Sequence, residues 1–287
     1  TNTSFEEKNE RFRKAAIELG KQALLNATQK AGIDLQEIDY LITTCCTGFM
    51  IPSVDAYLIN ELNLRQDVVR LPVTEMGCAA GVSALIYGYD LLKSNPGKKA
   101  AIVAIESPTS TFQHNDFSMA NMVSAAIFGD GASCTILGSS DQVLPSIVDT
   151  SMYHFYNEER MMGFDLTNQG LKMVLDVEVP NKIEARLLEI LQPFLEEHEL
   201  TFENINHFVF HPGGKRIVQL VEELLQPLGK NIDDTKEILR AYGNMSSATI
   251  LFVLERFMDK KILPGEKGLM LSFGPGFSAQ QILLEWK

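Results

Sequence analysis

Basic side chains are scarce and dispersed: 25 Lys and Arg stand against 37 Asp and Glu, a net charge of −12. Neutralising a phosphate backbone needs clustered cations, so the composition disfavours nucleic acid as a partner. Long apolar runs are missing as well. Stretches such as Ala101 to Ile105 and Leu269 to Phe273 are strand-length, far below the roughly 20 residues that span a bilayer, so no membrane partner is expected. The opening residues, Thr1 to Glu7, lack the basic flank and apolar stretch of a secretory signal. Cysteine is limited to Cys45, Cys46, Cys78 and Cys134, with no CxxC spacing. Neither a zinc site nor a disulfide framework is thereby indicated, and a reducing cytoplasm fits best. No Pro-rich or low-complexity tract divides the chain, which argues against disorder or a string of modules.

What is present is a chain able to bury a large core, with 287 residues of which 45% are hydrophobic. Apolar positions Phe12, Ala15, Ala16, Leu19, Ala23 and Ala27 recur at helical steps, with Gly32 as a stop. Residues 39–44 then read as a strand, 53–62 as a helix, 68–73 as a strand, and a further helix starts near Cys78. A strand at 100–106, a helix at 118–126 and a strand at 132–137 follow. After a Gly, Ser, Asp and Pro-containing seam at 139–151, the second half predicts a helix over 181–198, a strand over 207–210, helices over 216–228 and 246–258, and strands over 268–272 and 280–285. Alternating helices and strands define an α/β protein with layered sheets. No internal repeat is visible in the letters, so periodicity stops at that class.

Four segments carry candidate chemistry. Met76-Gly77-Cys78-Ala79-Ala80-Gly81 lies where a strand meets a helix, the setting of a nucleophile elbow. A thiol in the first helical turn feels unpaired N–H groups and the positive dipole end, which lowers its pKa and favours thiolate; a buried structural cysteine is the alternative. His211 closes an apolar strand just before Pro212-Gly213-Gly214, at a strand end where sites gather. His207, on the same strand face, leaves a metal pair open, although no acidic or cysteine ligand lies nearby. Asn244 and Ser246 precede an apolar helix, as caps or, for Asn244, as an N–H donor to a developing oxyanion. Ser272 to Phe277 is a strand and a glycine-hinged turn, either a tight connection or a wall near reacting atoms.

Taken in order, Gly77–Gly81, Phe128–Ala132, His211–Gly214, Tyr242–Ala248 and Phe273–Gly276 resemble the type III polyketide synthases, the chalcone synthase-like enzymes of the thiolase superfamily. The resemblance runs from about Phe12 to the C-terminus. It implies an α/β, thiolase-like five-layer αβαβα fold with two pseudo-duplicated halves, 1–145 bearing the nucleophile and 146–287 bearing His and Asn, assembled as a homodimer. It implies iterative decarboxylative condensation of malonyl-CoA onto an acyl-CoA starter, followed by cyclisation or release, with no metal or organic cofactor.

By the same resemblance Cys78 takes the starter as a thioester, His211 pairs with it as imidazolium, and Asn244 joins His211 in holding the enolate oxygen. Phe128 shields the decarboxylating malonyl group, and Gly274 and Pro275 shape the pocket. Thr47, Ile51, Thr111, Phe164, Met173 and Ser246 are expected to line the elongation cavity, with Phe164 narrowing it and Met173 softening the gate. Cys46 stands where plant enzymes have a threonine. Gly213, Gly214 and Arg216 are the expected coenzyme A contacts, since the Lys/Arg-bearing segment that opens other members precedes the start of this sequence. A β-ketoacyl synthase III-like enzyme, which shares Cys, His and Asn, is the nearest alternative; the spelling of the HPGG, GNMSSA and FGPG segments favours the polyketide enzymes. A papain-like protease embeds its cysteine differently, and a non-catalytic acyl-binding partner would be expected to lose one of the three residues.

Overall fold

The computed structural model describes residues 4–287; Thr1 to Thr3, part of the opening stretch read as lacking a signal, lie outside them. Helix α1 (Phe5–Ala31) starts at a capping box in which the Ser4 hydroxyl accepts from Glu7 N and Glu7 accepts in return from Ser4 N. It stops where Gly32 adopts φ 67°. Phe12, Ala16, Gly20, Leu24 and Thr28, spaced four apart, form its buried stripe. Strand β1 (Tyr40–Cys45), helix α2 (Val54–Glu61), strand β2 (Val69–Thr74), helix α3 (Ala80–Ser94), strand β3 (Ala100–Glu106), helix α4 (Met119–Ile127) and strand β4 (Gly131–Leu137) follow.

The first sheet has the order β2-β1-β3-β4, with β1 parallel to both neighbours and β4 antiparallel to β3. Its central strands alternate. Leu41, Val103 and Ile105 pack against α1 and α2, whereas Tyr40, Ile42 and Ile102 face α3.

The second half contains β5 (Pro145–His154), β6 (Met162–Thr167), β7 (Gly170–Leu175), α5 (Val179–Glu196), β8 (His207–Phe210), α6 (Lys215–Leu225), α7 (Asp233–Tyr242), α8 (Thr249–Met258), β9 (Lys267–Gly274) and β10 (Ser278–Trp286). Its sheet runs β5-β10-β9-β8, with β8 parallel to β9 and β9 antiparallel to β10. One face, through Met270, Ile282 and Leu284, meets α3 and α8; the other, through Phe208, Leu269 and Leu271, meets α5 and α6. The result is five layers: α1 and α2, sheet, α3 and α8, sheet, α5 and α6. Each large apolar side chain sealed between layers contributes roughly 1.5–3 kcal/mol. The unit β1-β3-β4, a parallel pair and then an antiparallel neighbour, recurs as β8-β9-β10.

Three parts depart from the sequence reading. Most of the seam at 139–151 is β5, an edge strand, so its Ser, Asp and Thr residues sit where water can reach one side. The hairpin β6-β7, closed around Asn168 and Gln169, is absent from the sequence reading, although its apolar residues alternate with Gly163, Asp165 and Lys172 as strand residues do. Helix α7, with Thr235 and Ile238 as its buried residues, was likewise unforeseen.

Candidate active site

Cys78 is placed by a turn that needs its glycine. After β2 the chain passes through Gly77 at φ 52°, and a Cβ there would lie 2.6 Å from Pro275 Cδ, so both conformation and space demand Gly. Cys78 occupies the single 3-10 turn, Gly77–Ala79, that feeds α3, and its carbonyl accepts from Ser272 Oγ at 2.7 Å. Asn244 stands in the matching place before α8, followed by a second 3-10 turn, Ser246–Ala248. The two central helices begin in contact: a Cβ on Gly81 would fall 2.3 Å from the Ser247 carbonyl oxygen.

The amide of Asn244 has its orientation fixed. Its Oδ1 accepts from Ser246 N at 2.8 Å, and its Nδ2 donates to Gly213 O at 3.3 Å, in the turn after His211. Its main chain donates to Ile127 O and accepts from Gly129 N, at 2.7 and 3.0 Å, which holds Phe128 beside it. His211 follows β8 and is tied by its backbone N to Leu271 O at 3.0 Å. Neither of its ring nitrogens has a hydrogen-bond partner among the described residues.

Cys78, His211, Asn244 and Phe128 all line one cavity of about 450 Å³. Burial pushes the Cys78 thiol from 9.0 up to about 11, against hydrogen bonds with Ser246 and Asn244 that act to lower it. Burial also pushes His211 down to about 3. The expected low thiol pKa and the resting imidazolium are therefore not what this arrangement favours. A helix terminus is worth only about 0.3–1 kcal/mol, less than one pKa step of 1.36 kcal/mol, and desolvation outweighs it.

Beside the sulfur lies a polar wall that sequence reading missed. Glu106, fully buried at the end of β3, accepts from Ser247 Oγ at 2.6 Å, Thr47 Oγ1 at 2.9 Å and Cys46 N at 3.1 Å. Burial raises its pKa. Ser246 Oγ lies 3.6 Å from the Cys78 sulfur and 3.5 Å from the Cys46 sulfur. The available signal was a carboxylate ending an otherwise apolar strand, Ala100 to Glu106, where a charge needs partners.

Thr47, Phe164, Met173, Ser246, Pro275, Gly213, Gly214 and Arg216 line the same cavity. Three expected wall residues do not. Ile51 is fully exposed, at 101%, and does not line this chain's cavity. Thr111 is buried under the wall, its hydroxyl donating to Pro108 O at 2.8 Å. Gly274 packs behind the lining against Ala79 and the Met76 carbonyl. His207 is a structural histidine, bonded through Nε2 to Glu266 at 2.6 Å and packed on Trp286. No group of three or more metal-ligating side chains exists among the described residues.

A five-layer αβαβα fold with a cysteine, a histidine and an asparagine on one interior cavity defines an acyltransferase of the thiolase type. The chain belongs to the chalcone and stilbene synthase family: residues 1–141 match its N-terminal domain and 147–286 its C-terminal domain. It is 32% identical over 288 residues to the 1,3,6,8-tetrahydroxynaphthalene synthase of Streptomyces peucetius, covering 98% of this chain and 76% of that one. It is 31% identical to the phloroglucinol synthase of Pseudomonas fluorescens, covering 99% and 82%. The crystal structure of 1,3,6,8-tetrahydroxynaphthalene synthase from Streptomyces coelicolor, a bacterial type III polyketide synthase, superposes with a TM-score of 0.94 at 27% identity, covering 100% of this chain and 82% of that one. The protein is a type III polyketide synthase.

Proposed function

We propose that the chain extends an acyl-CoA starter with malonyl-CoA through a thioester on Cys78. The observation that carries this reading is the meeting of Cys78, His211 and Asn244, from widely separated segments, on one cavity. His211, uncharged and with neither ring nitrogen bonded among the described residues, is the group that takes the Cys78 proton, although burial depresses its basicity. Transfer creates both charges together in a poorly solvated space, where their attraction offsets part of what each loses alone. The thiolate adds to the starter's carbonyl carbon and the C–S bond to coenzyme A breaks. His211 returns the proton to the departing thiolate, which leaves as free coenzyme A.

Neutral again, His211 presents an N–H beside the Asn244 Nδ2 to the thioester oxygen of malonyl-CoA. Loss of carbon dioxide leaves the electron pair as an enolate whose oxygen these donors hold. The Phe128 wall supplies apolar surroundings, which favour loss of a carboxylate charge. The enolate carbon attacks the Cys78 thioester, the sulfur leaves, and a β-ketoacyl-CoA two carbons longer is formed, ready to reload and finally to cyclise or be released. Thioester and enolate chemistry supplies every step without a metal or organic cofactor.

At the cavity mouth Gly213 and Gly214 lead into the N-terminus of α6, whose exposed Lys215 and Arg216 offer cations to coenzyme A phosphates. Among the described residues Arg216 is held by contacts of 3.8 Å to Glu184 and 3.7 Å to Glu223, which a phosphate can displace. We read the assembly as a homodimer, whose interface would cover exposed Phe49, Ile51 and Phe117. The halves would divide near residue 145. Free cysteines fit a cytoplasmic setting, and among the described residues no helix is long and apolar enough to cross a membrane.

The test is product formation from malonyl-CoA and acyl-CoA followed by mass spectrometry. Cys78→Ala is expected to lower extended product on the order of 10⁴-fold or more, while slow carbon dioxide release from malonyl-CoA persists. Undiminished product from that variant removes the assignment.

A further inference from the structure

The acyl group on Cys78 must lie against the remaining cavity wall, and that wall limits its chemistry. At the catalytic end the other polar side chains are already engaged. Thr47 Oγ1 donates to Glu106 at 2.9 Å and accepts from Ser107 N at 2.8 Å. The Cys46 sulfur sits 3.6 Å from Glu106 and 3.5 Å from Ser246 Oγ, which also meets Cys78. At the mouth, Asp176, Lys215 and Arg216 are exposed, and Asp176 accepts from Glu178 N at 2.8 Å.

Between these ends the hairpin β6-β7 presents one apolar face. Met162 pairs with Leu175 and Phe164 with Met173, while the alternate pair of Asp165 and Lys172 faces the other way. Ile127 and Ile217 add to the apolar lining. None of these side chains offers a hydroxyl more than the weak acceptor of a thioether, and two are methionines, whose unbranched thioethers adapt to a chain of variable shape.

Resting on the reading of Cys78 as the acyl carrier, we propose that the starter is an unfunctionalised alkyl thioester, a saturated acyl-CoA, and that the inward face of β6-β7 selects it. A buried methylene is worth about fourfold in binding. A hydroxyl sealed against this face gives up its water partners without replacement, a penalty of roughly ten- to a hundredfold. A hydroxylated aromatic starter meets that penalty, and an alkyl chain does not.

The experiment measures kcat/KM for a series of straight-chain acyl-CoAs, their ω-hydroxy counterparts and 3-(4-hydroxyphenyl)propanoyl-CoA, each with malonyl-CoA. Loading on Cys78 is read separately by intact-protein mass spectrometry. The expected result is a rise of about fourfold per added methylene up to a limiting length, and a loss of about tenfold or more for each ω-hydroxy chain. Ile217→Trp and, independently, Met173→Phe should move the limit to shorter chains. A flat response to length, or ω-hydroxy and hydroxyaromatic starters that match the alkyl series, overturns the inference. If the hydroxyaromatic ester loads and is extended in preference, the condensation reading stands and only the starter class falls. If no ester loads on Cys78, both readings fall.

Discussion

The strands β1 and β8 occupy matching places in two similar three-strand units, yet their ends are built in opposite ways. After β1, the backbone of Cys46 and the hydroxyl of Thr47 are both bonded to the buried Glu106. After β8, His211 is just as deeply buried but neither ring nitrogen is bonded among the described residues. A buried polar group without a partner is costly, so cores satisfy theirs. The satisfied wall bonds the two halves to each other, through Ser247 of the second and Glu106 of the first. In the proposed mechanism the unbonded ring keeps its bonding capacity for substrate. One end is architecture, and the other is chemistry.

The strongest challenge to that contrast is Glu106→Ala. Removing the carboxyl strands the donors of Ser247, Thr47 and Cys46 in a closed space, and urea unfolding should show a loss of roughly 3–5 kcal/mol. A near-neutral result would mean that the wall is not structural.

Asn244→Ala acts on the other end. In the proposed mechanism its Nδ2 is one of two donors for the enolate oxygen, and loss of such a donor costs about 10²–10³ in kcat. Malonyl-CoA decarboxylation should fall with extension, whereas Cys78 loading measured by mass spectrometry should fall less. Equal losses in both steps would place Asn244 with the architecture.

A smaller effect reads the burial of His211 directly. Its pKa is depressed from 6.5 to about 3, so between those values the unfolded chain binds the extra proton. Stability from this group is fully present above pH 6.5 and is lost as pH falls toward 3. Glu106, with its pKa raised, contributes in the opposite direction, so the comparison is with His211→Asn. Between pH 6.5 and 4 the wild type should lose roughly 2–3 kcal/mol more than the variant in urea unfolding; parallel curves would show that the ring is solvated or paired in solution.

Much of the site was legible because it rests on local backbone demands. Gly77 and Gly81 are required where two helix starts and Pro275 crowd together, and the sequence shows those glycines around Cys78. The strand ending at His211 and the helix after Asn244 were equally clear from apolar runs. Glu106 was not, since nothing near it in the chain reveals Ser247 as its partner. The β6-β7 face was missed although its signal was present: Met162, Phe164 and Leu166 alternate with Gly163, Asp165 and Thr167, the period of a strand. Ile51 and Thr111 were placed in the wall by resemblance, and the tertiary structure moves one to the surface and the other beneath it.

By itself, then, the sequence determined the alternating elements, the turns around Cys78, His211 and Asn244, and the family to which they belong. Those follow from periodicity, from glycine's conformational range and from the order of residues along one chain. Only the tertiary structure decided burial, pairing and cavity lining: which buried groups find partners, why burial lifts the Cys78 thiol to about 11 instead of a helix terminus lowering it, and which side chains line the cavity. Desolvation and hydrogen-bond pairing depend on atoms brought together from remote positions, and no local pattern encodes them.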